Sequence, residues 1–465
     1  MCSETIKKVV FLIGAGGSSP FINGLTTEKL TCTLSDICEW EKVISRLKER
    51  QNAQTTEYFD NIESCDVMHH AICKIKGLLK NNIQLFKNGD FNFEHLIHLL
   101  DKISIYYHSQ KASEIGNIDS LLIDFLHNYD NPFYGNSKKI DTKSDYYGWN
   151  YVPFLAREII ISRILELWNE EDREEDEKLN QSFFSSLSSE CSYNSICIYS
   201  LNYDPLLYES LVAFGSTFPT FETGFINPPP SNPKESTFGE CIFDKKRFFD
   251  AKNILAFMHG HVGFIPGDAI GETKFASCYK NAQEERFKNL VGSSRFYAGT
   301  GSKGTHYNTY LVTGLDKMDA FSENPFSAYM HRFVKDLSEA DLVILIGVSL
   351  NDYHLNSFLV NAIQISKGKI VFVTKAGVKE LSKIIEDFNR GEWYNILIRL
   401  WATTHDIMTG VVEDLGNVRN NIGKSSETKK IVKFTDNIGI YVDGTEYFYR
   451  SRNIKDLLDP NNWVK

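Results

Sequence analysis

The stretch Lys8-Val9-Val10-Phe11-Leu12-Ile13, followed by Gly14-Ala15-Gly16-Gly17-Ser18-Ser19, decides the fold class. A basic residue leads into an unbroken apolar run, the pattern of a strand buried on both faces of a parallel sheet. Three glycines in the next four residues mark a place where a side chain would block a ligand's approach to the backbone. A helix is expected soon after, with its free N–H groups and positive end available to a phosphate. Strand, glycine turn and helix is the arrangement by which α/β proteins hold a dinucleotide. An ordinary tight turn explains the same residues, and Ser19 stands where G-x-G-x-x-G has its third glycine.

The rest of the chain narrows the class. Its 465 residues suffice for two or three domains, or for one large domain with insertions. A formal charge of −10 argues against a nucleic-acid footprint over the whole chain. The apolar run at 9–13 is too short to span a membrane, and nothing resembles a signal peptide. Nine cysteines are scattered without a C-x-x-C pair, which indicates neither a zinc ribbon nor a disulfide framework. That usage fits a reducing cytoplasm.

Apolar positions recurring at helical steps predict helices over 36–50 and 57–87, continuing through 93–100. His95 and His98 share a helical face there, but the sequence supplies no third ligand, so surface or core histidines are expected. Residues 131–150 read as a loop and 151–170 as a long helix running into the acidic stretch 170–177. That stretch reads as a solvated helix end or loop. Three further apolar strands follow. Residues 195–201 end in Asn202-Tyr203-Asp204, residues 254–258 end in His259-Gly260-His261, and residues 341–346 end in Gly347-Val348-Ser349-Leu350-Asn351-Asp352. Residues 215–253 read as irregular. The polar, Gly-rich residues 265–324 would cover a site or contact a partner. A helix at 353–366 and a strand at 369–373 come next, and the tail from 406 reads as β-rich around Asp443-Gly444. The expected fold class is therefore α/β. It would be a Rossmann-like parallel sheet over residues 1–405, with a helical insertion over about 36–190, and a small β-rich appendage at 406–465.

Four apolar strands thus each stop at a small or polar cluster, and ligands of open α/β sheets bind beyond the carboxyl ends of strands. Each cluster also has a purely structural explanation. Asn202 and Asp204 could make a side-chain-capped turn, His259 could be a satisfied core histidine, and Ser349 and Asp352 could cap the next helix. Coincidence at four strand ends favours a nucleotide site.

The ordered set Gly14-Ala15-Gly16-Gly17-Ser18, Asn202-Tyr203-Asp204, His259-Gly260 and Gly347-Val348-Ser349-Leu350-Asn351-Asp352 resembles the sirtuin-like NAD-consuming family. The likeness spans roughly residues 5–375 in outline and is close only at the strand ends. It implies that Gly14, Ala15, Gly16 and Ser18 cradle the NAD diphosphate with backbone N–H groups. It implies that Asn202 and Asp204 line the nicotinamide and its ribose, with Asn202 positioning water or stabilising the reacting centre. His259 would be the base acting through the ribose hydroxyls, with His261 a second candidate. Gly347 and Ser349 would hold the adenosine side, and Asp352 ends that cofactor-binding motif. A carboxamide and a neutral imidazole suit cleavage of the nicotinamide–ribose bond, because positive charge builds on the sugar while a hydroxyl loses a proton.

The chain departs from the protein-deacylating members. Beyond His259 its only cysteine is Cys278, so their four-cysteine zinc module is absent and no metal is expected. The interval from Ser18 to Asn202 is long and helical, and Thr26 follows Gly24-Leu25 where the family has proline. These departures resemble the branch of bacterial anti-phage effectors, in which water is the acceptor and NAD is hydrolysed to ADP-ribose and nicotinamide. That likeness implies depletion of NAD in abortive infection. It also implies control through a homo-oligomer or a partner protein, such as an ATPase or another nucleotide-processing defence subunit. Neither membrane nor nucleic acid is expected as a partner. The alternatives are an ADP-ribosyltransferase or deacylase of the same fold and a non-catalytic NAD or ADP-ribose sensor. A dehydrogenase would need an acidic residue ending its second strand about twenty residues after the glycines, where this sequence reads as helix.

Overall fold

The apolar run at the amino end forms an interior strand of a seven-stranded sheet in the computed structural model. The structure describes residues 8–18, 21–22, 25, 27–36, 38–42, 45, 92–98, 100–101, 142–170, 174–190, 193–213, 220–226, 243–266, 273–275, 311–313, 324–348, 355, 358–359, 368–373, 431–433, 438–441, 445–451 and 454–463. The expected helix at 57–87, most of those at 36–50 and 353–366, and most of the 265–324 excursion lie outside them.

The strands are β1 (Lys8–Ile13), β2 (Ser195–Ser200), β3 (Ile254–Phe257), β4 (Phe264–Pro266), β5 (Thr273–Phe275), β6 (Leu342–Ile346), β7 (Lys369–Val373), β8 (Val432–Lys433) and β9 (Ile438–Tyr441). The main sheet runs β3-β2-β1-β6-β7-β9-β8, with β4 and β5 forming a separate antiparallel pair. All main-sheet pairings are parallel except β8–β9. From β1 the chain winds outward through β2 and β3, then crosses back to β6 and winds the other way through β7 and β9. That is the doubly wound, Rossmann-like order, whose switch point lies between β1 and β6.

Alternation along the strands explains why both faces are apolar. Val10 and Leu12 lie beside Cys197 and Tyr199, and the Tyr199 ring meets Phe333 of the helix Phe326–Glu339 at 4.8 Å. Phe11 points the other way, onto Phe183 and Phe184 of the helix Glu174–Glu190, at 6.2 and 5.4 Å. The acidic run supplies that helix's first turn with Glu174, Glu175, Asp176 and Glu177, where the helix dipole favours negative charge.

Three segments differ from expectation, the first being the helix Lys245–Asp250, capped by Asp244 within the stretch read as irregular. Residues 142–150 are not loop but the start of the helix Thr142–Glu170. Extending an existing helix adds one bond per residue, which outweighs the roughly 1 kcal/mol penalty of an interior glycine such as Gly148. The described part of the tail is built into the sheet and its helical layer rather than appended. β9 pairs in parallel with β7 from Ile370↔Ile438 to Val373↔Tyr441, covering an edge that would otherwise be open. The helices Thr445–Tyr449 and Ile454–Leu458 follow. Phe448 and Tyr449 pack on Phe183 at 5.4 and 4.6 Å.

A charged cluster secures the amino edge of the sheet. The buried Asp336 carboxylate accepts from Lys8 Nζ at 3.0 Å, from the Tyr199 hydroxyl at 2.7 Å and from Arg332 Nε at 2.9 Å. Arg332 also donates to the carbonyls of Phe249 and Ala251, and the Lys8 amide donates to Asp341 at 2.9 Å. Burial works against the Asp336 charge, but the Tyr199 bond and the Arg332 and Lys8 charges outweigh it and hold the carboxyl below its ordinary pKa. Burial together with Asp336 pushes the Cys197 thiol up to about 12, which leaves it unreactive. Because the folded-state pKa of Asp336 is depressed, its stabilisation is complete above the ordinary carboxylate value of about 3.9. It is lost as pH falls through the lower folded value. Asp336→Ala should cost about 3–5 kcal/mol at neutral pH, since it leaves Arg332 buried without its counter-charge and strips Lys8 of one of its two carboxylate partners, Glu339 being the other. Urea denaturation should also show the deficit relative to wild type narrowing below about pH 4.

Candidate functional site

Hydrogen bonding continues past the strand ends and sets the polar clusters in one row. Leu201 N–H donates to Ile13 at 2.8 Å, Met258 N–H to Ser200 at 2.8 Å, Gly14 N–H to Ile346 at 2.9 Å and Gly347 N–H to Val373 at 3.0 Å. Asn202 and His259 each lie two residues beyond the last paired residues of β2 and β3, Ser200 and Phe257. Gly14, Ala15, Gly16, Ser18, Asn202, Asp204, His259 and Gly347 are therefore gathered at the carboxyl edge of β3, β2, β1 and β6. Ser349 and Asp352 lie outside the described residues.

The glycines at the switch point serve turn-to-turn packing. Gly347 has φ +58°, and a Cβ there would lie 2.2 Å from Gly16 C and Gly17 N. A Cβ on Gly14 would meet the Gly347 oxygen at 2.7 Å, and one on Gly16 would meet Gly347 Cα at 2.9 Å. The same contact consumes donors. Gly16 N–H bonds Gly347 O at 3.1 Å and Gly17 N–H bonds Gly14 O at 2.7 Å, while Gly14 N–H is held by Ile346. The expected diphosphate cradle thus cannot draw on the N–H groups of Gly14 and Gly16. The helix predicted after the turn is a single turn, Ala15–Ser18.

Asn202 is the most telling side chain in the row. The Ser200 hydroxyl fixes its backbone by accepting Asn202 N–H at 3.1 Å, as serine does at turns. Its Nδ2 donates to Ser18 Oγ at 2.6 Å, joining two motifs 184 residues apart. The residue is 5% exposed, and its Oδ1 has no hydrogen-bond partner among the described residues. An unsatisfied buried acceptor costs about 1–3 kcal/mol. The site is therefore short of a donor that a ligand or water can bring. Asp204 behaves as the capped-turn reading expects, accepting Leu206 N–H at 3.1 Å ahead of the helix Leu206–Tyr208. Burial, then the Asp204 carboxylate, push the Tyr449 hydroxyl well up.

The two histidines beyond β3 separate clearly. His261 is fully buried, with its ring 4.5 Å from Phe257, 4.9 Å from Phe275 and 5.8 Å from both Phe264 and Tyr208. Its Nδ1 accepts Gly263 N–H at 2.9 Å, which selects the neutral tautomer protonated on Nε2. His261 is thus a core histidine. His259 sits in the row instead, its carbonyl accepting Val312 N–H at 2.7 Å and its ring 6.3 Å from that of Tyr203. The Tyr203 hydroxyl lies 3.1 Å from Glu94 Oε1, tying the strand end to helical residues 93–98.

Two residues here escape sequence reading. Thr313, next to Val312, is buried with a hydroxyl lacking any partner among the described residues. Thr445 donates its hydroxyl to Gly16 O at 2.9 Å from the far end of the chain. His95 Nδ1 lies 2.9 Å from Asn92 Oδ1, burial lowers its pKa, and no group of three metal-ligating side chains occurs among the described residues. No described helix is long and apolar enough to cross a membrane.

In comparisons with known proteins, no family model and no curated protein matches the chain. The fold and the row of residues define a doubly wound α/β protein with a polar carboxyl edge at its switch point. Gly347→Ala should destabilise the protein by at least about 1–3 kcal/mol, because it combines a left-handed φ with a backbone clash. Thermal unfolding of the variant against wild type measures this.

Proposed function

We propose that this chain is a sirtuin-like NAD hydrolase, cleaving the nicotinamide–ribose bond to give nicotinamide and ADP-ribose. The observation that carries the reading is Asn202: buried, tethered to Ser18, with an acceptor oxygen left over at the strand-end row that also holds His259. The amide oxygen carries partial negative charge, which suits a sugar carbon that turns positive as the bond breaks. The bond's electron pair leaves on the pyridine nitrogen, water adds to the ribosyl carbon, and a proton passes through the ribose hydroxyls to His259. With the Gly14 and Gly16 amides engaged, the diphosphate is met in part by the Ser18 hydroxyl. That group accepts from Asn202 and gives its own proton to no described residue. The larger role follows the same resemblance: an anti-phage effector in the cytoplasm that depletes NAD, held in check by self-assembly or by a partner such as a nucleotide-processing ATPase.

Chromatographic assay of NAD turnover tests the reading, with the protein alone and co-expressed with the products of neighbouring genes. Asn202→Ala and His259→Ala should each lower turnover by about 10²-fold or more, while His261→Phe, a change in the aromatic core, should retain it. Calorimetric NAD binding without turnover in any condition would favour the sensor alternative. Absence of both binding and turnover would overturn the nucleotide reading.

A further inference from the structure

The glycine turn is poorly able to hold its own shape. Three of residues 14–17 are glycine, which lose the most backbone freedom on ordering, and the helical turn Ala15–Ser18 is only one turn long. In a continuing helix the Gly16 carbonyl would accept the N–H of residue 20, but residue 20 is proline and has none.

The missing donor arrives from the other end of the chain. Thr445, buried at the start of the helix that follows β9, donates its hydroxyl to Gly16 O at 2.9 Å across 429 residues. One turn along that helix, Tyr449 stacks on Phe21 with ring centroids 5.8 Å apart and planes at 24°. The Phe21 amide itself closes back on Ser18 O at 2.9 Å. The helix Thr445–Tyr449 therefore grips the chain on both sides of Ser18, at Gly16 and at Phe21, and Ser18 is the residue that tethers Asn202.

We propose that Thr445 is a positioning residue of the candidate site. Its hydroxyl stands in for the amide that Pro20 lacks and, together with the Tyr449–Phe21 stack, sets the Ser18 hydroxyl against the Asn202 carboxamide. The effect on ligand affinity rests on the NAD reading, whereas the effect on the turn does not.

Thr445→Val removes the hydroxyl at constant shape, and Thr445→Ser keeps it. Hydrogen exchange followed by mass spectrometry should show peptides covering 14–22 exchanging about five- to tenfold faster in Thr445→Val. Peptides from β2 and β7 should be unchanged, and Thr445→Ser should behave as wild type. Calorimetric NAD affinity should fall by a similar factor in the valine variant and recover in the serine variant. Should the valine variant fail to fold, Tyr449→Leu removes the stacking ring while leaving the hydroxyl, and it should open the same segment. Unchanged protection over 14–22 in whichever of these variants folds, or equal loss in the serine and valine variants, would overturn the proposal. If wild type binds no NAD while the exchange pattern holds, the NAD reading falls and the positioning role stands.

Discussion

Everything at the carboxyl edge depends on one contact, the backbone-to-backbone approach of the turn after β1 and the turn after β6. Gly347 lies so close to Gly16 and Gly17 that no Cβ fits on it, nor without displacement on Gly14 or Gly16. This contact spans the switch point of the sheet, where a crevice opens in doubly wound folds. It also spends the amides of Gly14 and Gly16 on the protein's own carbonyls. Under the proposed reading, recognition at this crevice passes from backbone to side chains, namely Ser18, Asn202 and the residues around His259. The glycines build the turn-to-turn contact, and the proposed chemistry falls to the polar side chains beside it.

The two edges of the sheet divide stability from function. At the amino edge, Asp336 satisfies a tyrosine, an arginine and a lysine at once, and the Arg332 guanidinium also bonds two backbone carbonyls. Such saturated clusters rigidify and leave nothing for a ligand. At the carboxyl edge, Asn202 Oδ1 and Thr313 Oγ1 are buried without a partner among the described residues. Unsatisfied groups persist where the surrounding structure enforces them, and they concentrate at sites of function. A protein under selection for stability alone gains by filling or removing them.

Sequence patterning made the strands legible because a parallel sheet buried on both faces requires continuous apolar runs. β1, β2, β3, β6 and β7 all match runs such as Val9–Ile13 and Leu342–Ile346. The row of strand ends was legible for the same reason, since each run stops where burial stops. Contacts between distant segments were not. Polar–apolar alternation in the tail suggested strands, yet Phe448, Tyr449, Ile454 and Leu458 belong to short helices whose burial depends on the layer formed by Glu174–Glu190. His259 and His261 are the same residue type two positions apart, and only the aromatic enclosure of His261 separates them. Pro20 was in plain view. Its meaning depends on Thr445, which no local pattern links to it.

Long-range closure also bears on how the site comes into being. Ser18 meets Asn202 across 184 residues, Tyr203 meets Glu94 across 109, and Gly16 meets Thr445 across 429. None of these bonds can form before the parallel pairings that bring the strand ends into line, and such non-local pairings are the slow part of folding. Because Thr445 follows β9, the last parallel strand in chain order, the glycine turn has its full set of partners only where the sheet is complete through β9. The turn nearest the amino end thus depends on a partner from the carboxyl end, and its shape is tied to the integrity of the whole sheet.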